Sequence, residues 1–315
     1  MKDRLKLIYL TANKNLTMDI SNKIGAEIIP TDVTRFADGE ISFVGEKSVR
    51  GNDVFIIQST CAPVTERLME LLICIDACKR AGANSISCVI PYFGYCRQDR
   101  MAKPRQAITA KLVASMIENA GATRIIAMDL HATQIAGFFD IPVDNISPAP
   151  LFYKYFKKLH LDDLVFVSPD HGGLVRTGKL AEKFNAPLAI IDKRRPEPNK
   201  TELLSIIGDV KGKNCIIVDD IVDTGGTLLQ AINKLYELGA KSVYAAITHG
   251  VLSSNAVDTI CNSKITRLVI TDSIPLAEEK KHSKIDVISL SPLFSQVLLA
   301  IEHGESVAEA INKLG

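Results

Sequence analysis

TERLMELLICIDACKRAGANSISCVIPYF, residues 65–93, decides the fold. Its first half spaces apolar residues as an amphipathic helix does, Gly82-Ala83 stops that helix where a left-handed cap is wanted, and Ser85–Ile90 is an apolar run suited to a strand covered on both faces. The same unit returns as ITAKLVASMIENAGATRIIAMDL (108–130) around Gly121 and as TLLQAINKLYELGAKSVYAAITH (227–249) around Gly239. Helices alternating with buried strands mean an α/β chain with mainly parallel sheets flanked by helices. Further strands are expected at Val54–Gln58, Leu164–Ser168, Leu188–Ile191, Cys215–Val218 and Arg267–Ile270. Two units fall before residue 140 and one after 220, which suggests two α/β domains of similar build. Asp140–Pro150 carries three prolines that bias their predecessors out of the helix region, so the crossing is placed there, with domains of 1–146 and 147–315. Pro292–His303 has helical periodicity and is free to pack back on either domain, the first included.

With 315 residues the chain is long enough for about two domains. Its 37 basic residues stand against 36 acidic ones, which excludes a global field for holding nucleic acid or an anionic membrane; any polyanion is bound locally. The start, MKDRLKLIYLTANKN, lacks the apolar core of a secretory signal, and no long uncharged apolar run follows, so a soluble, cytoplasmic protein is expected. Seven cysteines, an odd number scattered through apolar stretches, read as reduced core thiols. Cys74 and Cys78 stand one helical turn apart, but no second ligand pair accompanies them, which favours core packing over zinc.

In open α/β sheets ligands collect beyond the carboxyl ends of the strands. The most informative loop there is CIIVDDIVDTGGTLLQAI, residues 215–232. A strand feeds Asp219 and Asp220, and Asp223-Thr224-Gly225-Gly226-Thr227 then opens a helix. Adjacent glycines let successive N–H groups converge, the helix N-terminus adds partial positive charge, and the two threonines offer hydroxyls: a phosphate cradle without a lysine. Carboxylates beside such a cradle suit groups that donate hydrogen bonds, such as vicinal sugar hydroxyls, so a sugar phosphate is the implied ligand. The plainer reading is a helix cap at Asp223 or Thr224 with a tight glycine turn; it accounts for one acid rather than three in five positions.

Val218-Asp-Asp-Ile-Val-Asp-Thr-Gly-Gly-Thr227 resembles the phosphoribosyl diphosphate (PRPP) binding motif of type I phosphoribosyltransferases and of ribose-phosphate diphosphokinases, the PRPP synthases. Arg35–Glu40 (RFADGE), Pro91–Arg100 (PYFGYCRQDR), Asp129–Ala132 (DLHA), Gly137–Pro142 (GFFDIP), Ser168–Gly173 (SPDHGG) and Ile191–Arg195 (IDKRR) are all similar to segments of the synthase family, in that family's order, and together span essentially the whole chain. The resemblance implies two phosphoribosyltransferase-like domains and transfer of the β,γ-diphosphoryl group of ATP to the anomeric hydroxyl of ribose 5-phosphate, giving AMP and PRPP. It implies Mg²⁺ as cofactor and a homo-oligomer, a hexamer built of dimers.

By the same resemblance Arg97, Gln98 and Asp99 form the ATP loop, completed by Phe36, Asp38 and Glu40 from a neighbouring subunit. A guanidinium at position 97 suits this on physical grounds, since it stacks on a purine while reaching a phosphate; Phe36–Glu40 alone reads equally as an Asp-Gly turn. His131 and Asp170 both follow strands, placed at the same sheet edge, and correspond to the family's magnesium ligands. A sparse His/Asp pair suits Mg²⁺, which keeps several waters. Asp170-His171-Gly172-Gly173 resembles a second anion cradle for the diphosphate. Asp219, Asp220, Asp223, Thr224, Gly225, Gly226 and Thr227 correspond to the ribose 5-phosphate site. Lys193 and Arg195 correspond to cations that stabilise the transition state on a closing loop; composition alone would make 192–198 a solvated linker.

The departures gather at the family's regulatory phosphate/ADP site. This chain has Pro104-Arg105-Gln106-Ala107-Ile108, Ala136, and Ser306-Val307-Ala308-Glu309-Ala310-Ile311 where regulated members often carry different residues, although Arg105, Asp144, Asn145 and Ser306 remain. Two other functions compete: a PRPP-consuming transferase, which has no use for a doubled build, and a non-catalytic regulatory homologue, which would be expected to lose acids or cations retained here.

Overall fold

A computed structural model describes residues 4–194 and 203–314 of the chain, apart from the side chains of residues 193, 194, 203 and 204. Two compact units emerge. The first comprises Met1–Ser147 with Ser273–Pro275 and Ser289–Leu314; the second comprises Pro148–Asp272 with Leu276–Ile288.

The first unit runs β1 (Leu5–Tyr9), α1 (Lys14–Ile24), β2 (Glu27–Ile28), β3 (Thr31–Arg35), β4 (Ile41–Gly45) and β5 (Asp53–Ile57). It continues through α2 (Val64–Arg80), β6 (Ser85–Ile90), α3 (Thr109–Ala120), β7 (Arg124–Met128) and β8 (Val143–Ile146). Six strands form one sheet in the order β2-β1-β5-β6-β7-β8, parallel throughout, while β3 and β4 pair antiparallel as a separate hairpin. Val54–Ile57 and Ile86–Ile90 are buried without interruption, the consequence of helices covering both faces. Parallel pairing also brings the loops after β1, β5, β6 and β7 to one edge of this sheet.

The second unit runs α4 (Ala149–Lys157), β9 (Leu164–Ser168), α5 (Leu174–Phe184), β10 (Leu188–Arg194), β11 (Leu203–Ile207) and β12 (Asn214–Val222). Then come α6 (Gly226–Glu237), β13 (Ser242–Gly250), α7 (Ala256–Cys261), β14 (Arg267–Thr271) and β15 (Ile285–Ile288). Its seven strands are ordered β11-β10-β9-β12-β13-β14-β15, with β11 alone antiparallel to its neighbour. The closing helices α8 (Ser291–His303) and α9 (Val307–Asn312) belong to the first unit, where α8 packs on α1 and buries Leu293, Phe294, Val297 and Leu298.

The repeated unit forms as its pattern predicts, and Gly82, Gly121 and Gly239 take φ of 78°, 126° and 86°. All seven cysteines are free and buried. No helix of the described residues is long and apolar enough to cross a membrane.

Two expectations change. Strand β12 does not end at Val218: it stays paired with β13 through Val222↔Gly250, so Asp219 and Asp220 sit on the strand rather than in the loop after it. Ladder hydrogen bonds to a buried neighbour outweigh the poor strand preference of aspartate. His131 and Asp170 follow strands of two different sheets, β7 in the first unit and β9 in the second, and not one sheet edge.

Candidate active site

In the first unit the loop after β6 is anchored by its own backbone. Thr60 N–H donates to Tyr92 O (2.9 Å) and Gly94 N–H to Thr60 Oγ1 (2.6 Å), drawing residues 91–94 against the end of β5. A Cβ on Gly94 would lie 2.3 Å from the Thr60 carbonyl oxygen, so only glycine fits there. Gly94→Ala is therefore expected to cost about 3 kcal/mol of stability by overpacking. Urea unfolding measures this, and an unchanged midpoint would contradict it.

Beyond this anchor Arg97 and Gln98 are exposed and Asp99 is half-buried. Gln98 Oε1 accepts from Thr109 Oγ1 at 2.6 Å, at the start of α3, and Asp99 Oδ2 accepts from Gln134 Nε2 at 2.7 Å. Those contacts tie the loop to α3 and to the short 3₁₀ turn Thr133–Phe138. His131 is exposed on the next loop of the same sheet. Before it, Asp129 is held at φ 42°, a left-handed conformation unusual for a residue other than glycine, with its N–H donating to Ile146 O at 2.8 Å. Phe36, Asp38 and Glu40 are exposed at the tip of the β3–β4 hairpin. Gly39 at φ 92° and the Glu40 N–H to Asp38 Oδ1 bond (3.1 Å) shape the turn, and the Phe36 ring is 59% exposed.

In the second unit the acids gather where β12 runs into α6. Asp220 is buried and Asp219 half-buried, and Asp219 Oδ1 accepts the Asp220 N–H at 2.9 Å. Burial, and then the Asp220 carboxylate, push the Asp219 carboxyl well above its usual range, with the Arg176 cation opposing them. Arg176 extends from α5 so that Nη1 lies 3.5 Å from Asp220 Oδ1 and 3.8 Å from Asp219 Oδ1. This residue was not singled out from sequence; its signal was a cation three residues past Gly172-Gly173, on the turn of α5 that faces β12.

Asp223 Oδ1 accepts from Ser253 Oγ, and Asp223 O accepts the Ser253 N–H at 3.1 Å, fixing the loop to the end of β13. Gly225 takes φ 80° at the N-cap position of α6, so the chain enters the helix through a glycine rather than through Asp223 or Thr224. A Cβ at Gly225 would also meet Ile260 Cγ1 at 2.9 Å. Thr224, Gly226 and Thr227 are exposed around this helix start, whose N–H groups and dipole favour an anion.

Beside it, Asp170 Oδ1 accepts the Gly173 N–H at 2.9 Å, turning the exposed Asp170-His171-Gly172 stretch into the start of α5. His171 Nε2 lies 3.5 Å from Asp192 Oδ1 on β10. Lys193 falls on β10, but its side chain and the whole of Arg195 lie outside the described residues.

Two acid-and-glycine helix starts beside a carboxylate pair, on the parallel sheet of a chain whose other unit carries a cationic loop, mark a phosphate-handling α/β enzyme. Comparison with known proteins narrows the class. Residues 5–121 match the N-terminal domain of ribose phosphate pyrophosphokinase, and residues 177–311 match the phosphoribosyl synthetase-associated domain. The ribose-phosphate pyrophosphokinase of Caldanaerobacter subterraneus subsp. tengcongensis is 55% identical, with 97% of each chain covered; that of Halalkalibacterium halodurans is 54% identical, with 96% of each covered. The crystal structure of phosphoribosylpyrophosphate synthetase from Mycobacterium smegmatis is 39% identical, covers 96% of this chain and 99% of its own, and superposes with a TM-score of 0.90.

The chain belongs to the ribose-phosphate pyrophosphokinase family. It carries that family's diphosphotransferase activity, in a class of enzymes that generally needs a metal ion.

Proposed function

We propose that the chain makes PRPP and AMP from ATP and ribose 5-phosphate through the residues described above. The observation that carries this reading is the pairing of a buried acid, Asp220, with a glycine helix start a few residues on: one suits ribose hydroxyls, the other the 5-phosphate. Asp219 and Asp220 accept hydrogen bonds from the 2- and 3-hydroxyls, while Thr224, Gly225, Gly226 and Thr227 cradle the phosphate. Asp223 is the anchor of the loop as well as part of its acidic rim. Arg97 and Gln98 hold the nucleotide with Asp99 steadying their loop, and Phe36, Asp38 and Glu40 reach the nucleotide of a neighbouring subunit in a homo-oligomer, a hexamer built of dimers.

His131 and Asp170 would each be a donor to Mg²⁺: an imidazole and a carboxylate on exposed loops suit an ion that keeps waters beside few protein ligands and the substrate phosphates. When bound, the ion offsets charge on the triphosphate. The anomeric hydroxyl oxygen attacks the β-phosphorus as the bond from that phosphorus to the α-phosphate oxygen breaks; AMP leaves, and the hydroxyl proton passes to solvent. Gly172 and Gly173 orient the moving diphosphoryl group, with His171 at the rim. Lys193 and Arg195 meet the charge that builds in the transition state. No residue is required as a strong base, because the anomeric hydroxyl is acidic for an alcohol. The cytoplasm, where ATP and reduced thiols coexist, suits both the substrates and seven unpaired cysteines.

A regulatory-subunit reading is disfavoured by the retained Asp219, Asp220, Asp223, His131, Lys193 and Arg195. Control by phosphate is weak in this reading. Ala136 and Ala308 offer no side-chain donors to an anion, and Asp144 is paired with Arg124 (2.6 Å). Two lost bonds to an anion amount to about 3 to 6 kcal/mol. Activity is therefore expected to change little across phosphate concentrations, and ADP to compete with ATP. Strong phosphate dependence, with ADP inhibition that saturating ATP does not relieve, would contradict this.

A further inference from the structure

The β3–β4 hairpin belongs to neither large sheet, yet its exposed tip carries Phe36. What aims it is a buried carboxylate. Glu70 lies inside α2 with its side chain 0% exposed, and three groups donate to it: Thr11 Oγ1 (2.5 Å) and Gln58 Nε2 (2.9 Å) to Oε2, and Arg35 Nη2 (2.9 Å) to Oε1. Thr11 follows β1 and Gln58 follows β5, so the carboxylate is fixed by the ends of two central strands. Gln58 is itself locked, accepting the Ala12 N–H at 3.1 Å and donating to Arg67 O at 3.3 Å.

Arg35 is the last residue of β3, immediately before Phe36. Its planar fork is held twice, by Glu70 and by Glu66 Oε2 (2.7 Å from Nη2 and 3.1 Å from Nε). A guanidinium gripped at two edges fixes direction as well as distance. The hairpin body has a separate attachment, since β4 packs on α2 with Ile41 and Phe43 half-buried. Removing the fork would thus leave the hairpin docked while freeing the angle of its tip.

We propose that Arg35 and Glu70 are positioning residues for nucleotide binding, acting through the hairpin tip; this rests on the reading of Phe36, Asp38 and Glu40 as nucleotide contacts. Holding the tip in its productive direction lowers the ordering cost of binding, so loss of the hold appears in affinity rather than in the chemical step. Arg35→Ala is the main variant, because Glu70 then keeps two donors; Glu70→Gln and Arg35→Lys accompany it, with Phe36→Ala as the reference.

Steady-state kinetics of the full chain should show Arg35→Ala and Glu70→Gln raising KM for ATP about tenfold, with kcat within about twofold and KM for ribose 5-phosphate unchanged. Arg35→Lys, retaining the charge without the fork, should fall between Arg35→Ala and the parent. If Phe36→Ala raises KM for ATP while Arg35→Ala matches the parent, the clamp is overturned and the tip reading stands. If Phe36→Ala has no effect, the tip reading fails and the clamp falls with it. A parallel loss of kcat and of affinity for both substrates in Arg35→Ala, tracking a lowered melting temperature, would mark a merely structural ion pair and likewise overturn the proposal.

Discussion

Lys193→Ala and Arg195→Ala are each expected to lower kcat by about a thousandfold, with the melting temperature and the dissociation constant for ribose 5-phosphate near the parent values. The reason lies in when their contacts form. The diphosphoryl group gathers negative charge only as its bond to the α-phosphate oxygen loosens, so cations aimed at that charge stabilise the transition state more than the ground state. Strand β10 delivers the chain to this segment, ending at Arg194, and the IDKRR stretch is similar to the catalytic loop of the family. Single-turnover assays at saturating substrates measure the chemical step directly. Variants that turn over at near-parent rates would remove both residues from the mechanism.

Asp220→Ala is expected to raise KM for ribose 5-phosphate by about 10- to 150-fold, the equivalent of one hydrogen bond to a charged acceptor at 1.5 to 3 kcal/mol, and to leave KM for ATP near the parent value. Asp220 is 5% exposed on a strand whose ladder with β13 continues past it to Val222↔Gly250, so its carboxylate is presented by hydrogen-bonded backbone. Removing it also takes from Arg176 an acid contact at 3.5 Å. The Asn variant keeps the shape but not the charge and should lie between Ala and Asp. Equal rises in both Michaelis constants would place Asp220 in general support of the loop instead.

The helix, glycine and strand units were legible because burial imposes two clean periods, 3.6 and continuous, and because a left-handed stop demands glycine. The 219–227 loop was legible for a related reason: three acids beside paired glycines are costly in any setting that does not use them. Other parts were hidden. Strands β3 and β4 are short and largely uncovered, so no buried run announced them. The last residues of β12 read as loop because aspartate is a poor strand former, and only pairing with β13 reveals otherwise.

Arg176 looked like an ordinary helix-surface cation. Its partners lie more than forty residues away in sequence, a separation at which single-sequence patterns carry no signal. Glu70 was masked in the same way. An acid in an amphipathic helix is read as solvent-facing, although it shares an i+4 row with the buried Cys74 and Cys78. The structure shows that the row is internal, with the charge offset by Arg35.

On this reading the chain moves the diphosphoryl group of ATP to the anomeric oxygen of ribose 5-phosphate. Phosphorus NMR of the purified chain with Mg²⁺, ATP and ribose 5-phosphate tests it most directly. AMP and PRPP should appear in equal amounts, with the β and γ phosphorus of ATP both recovered on the sugar. Formation of ADP with a singly phosphorylated anomeric carbon, or no consumption of ATP that depends on ribose 5-phosphate, would contradict it.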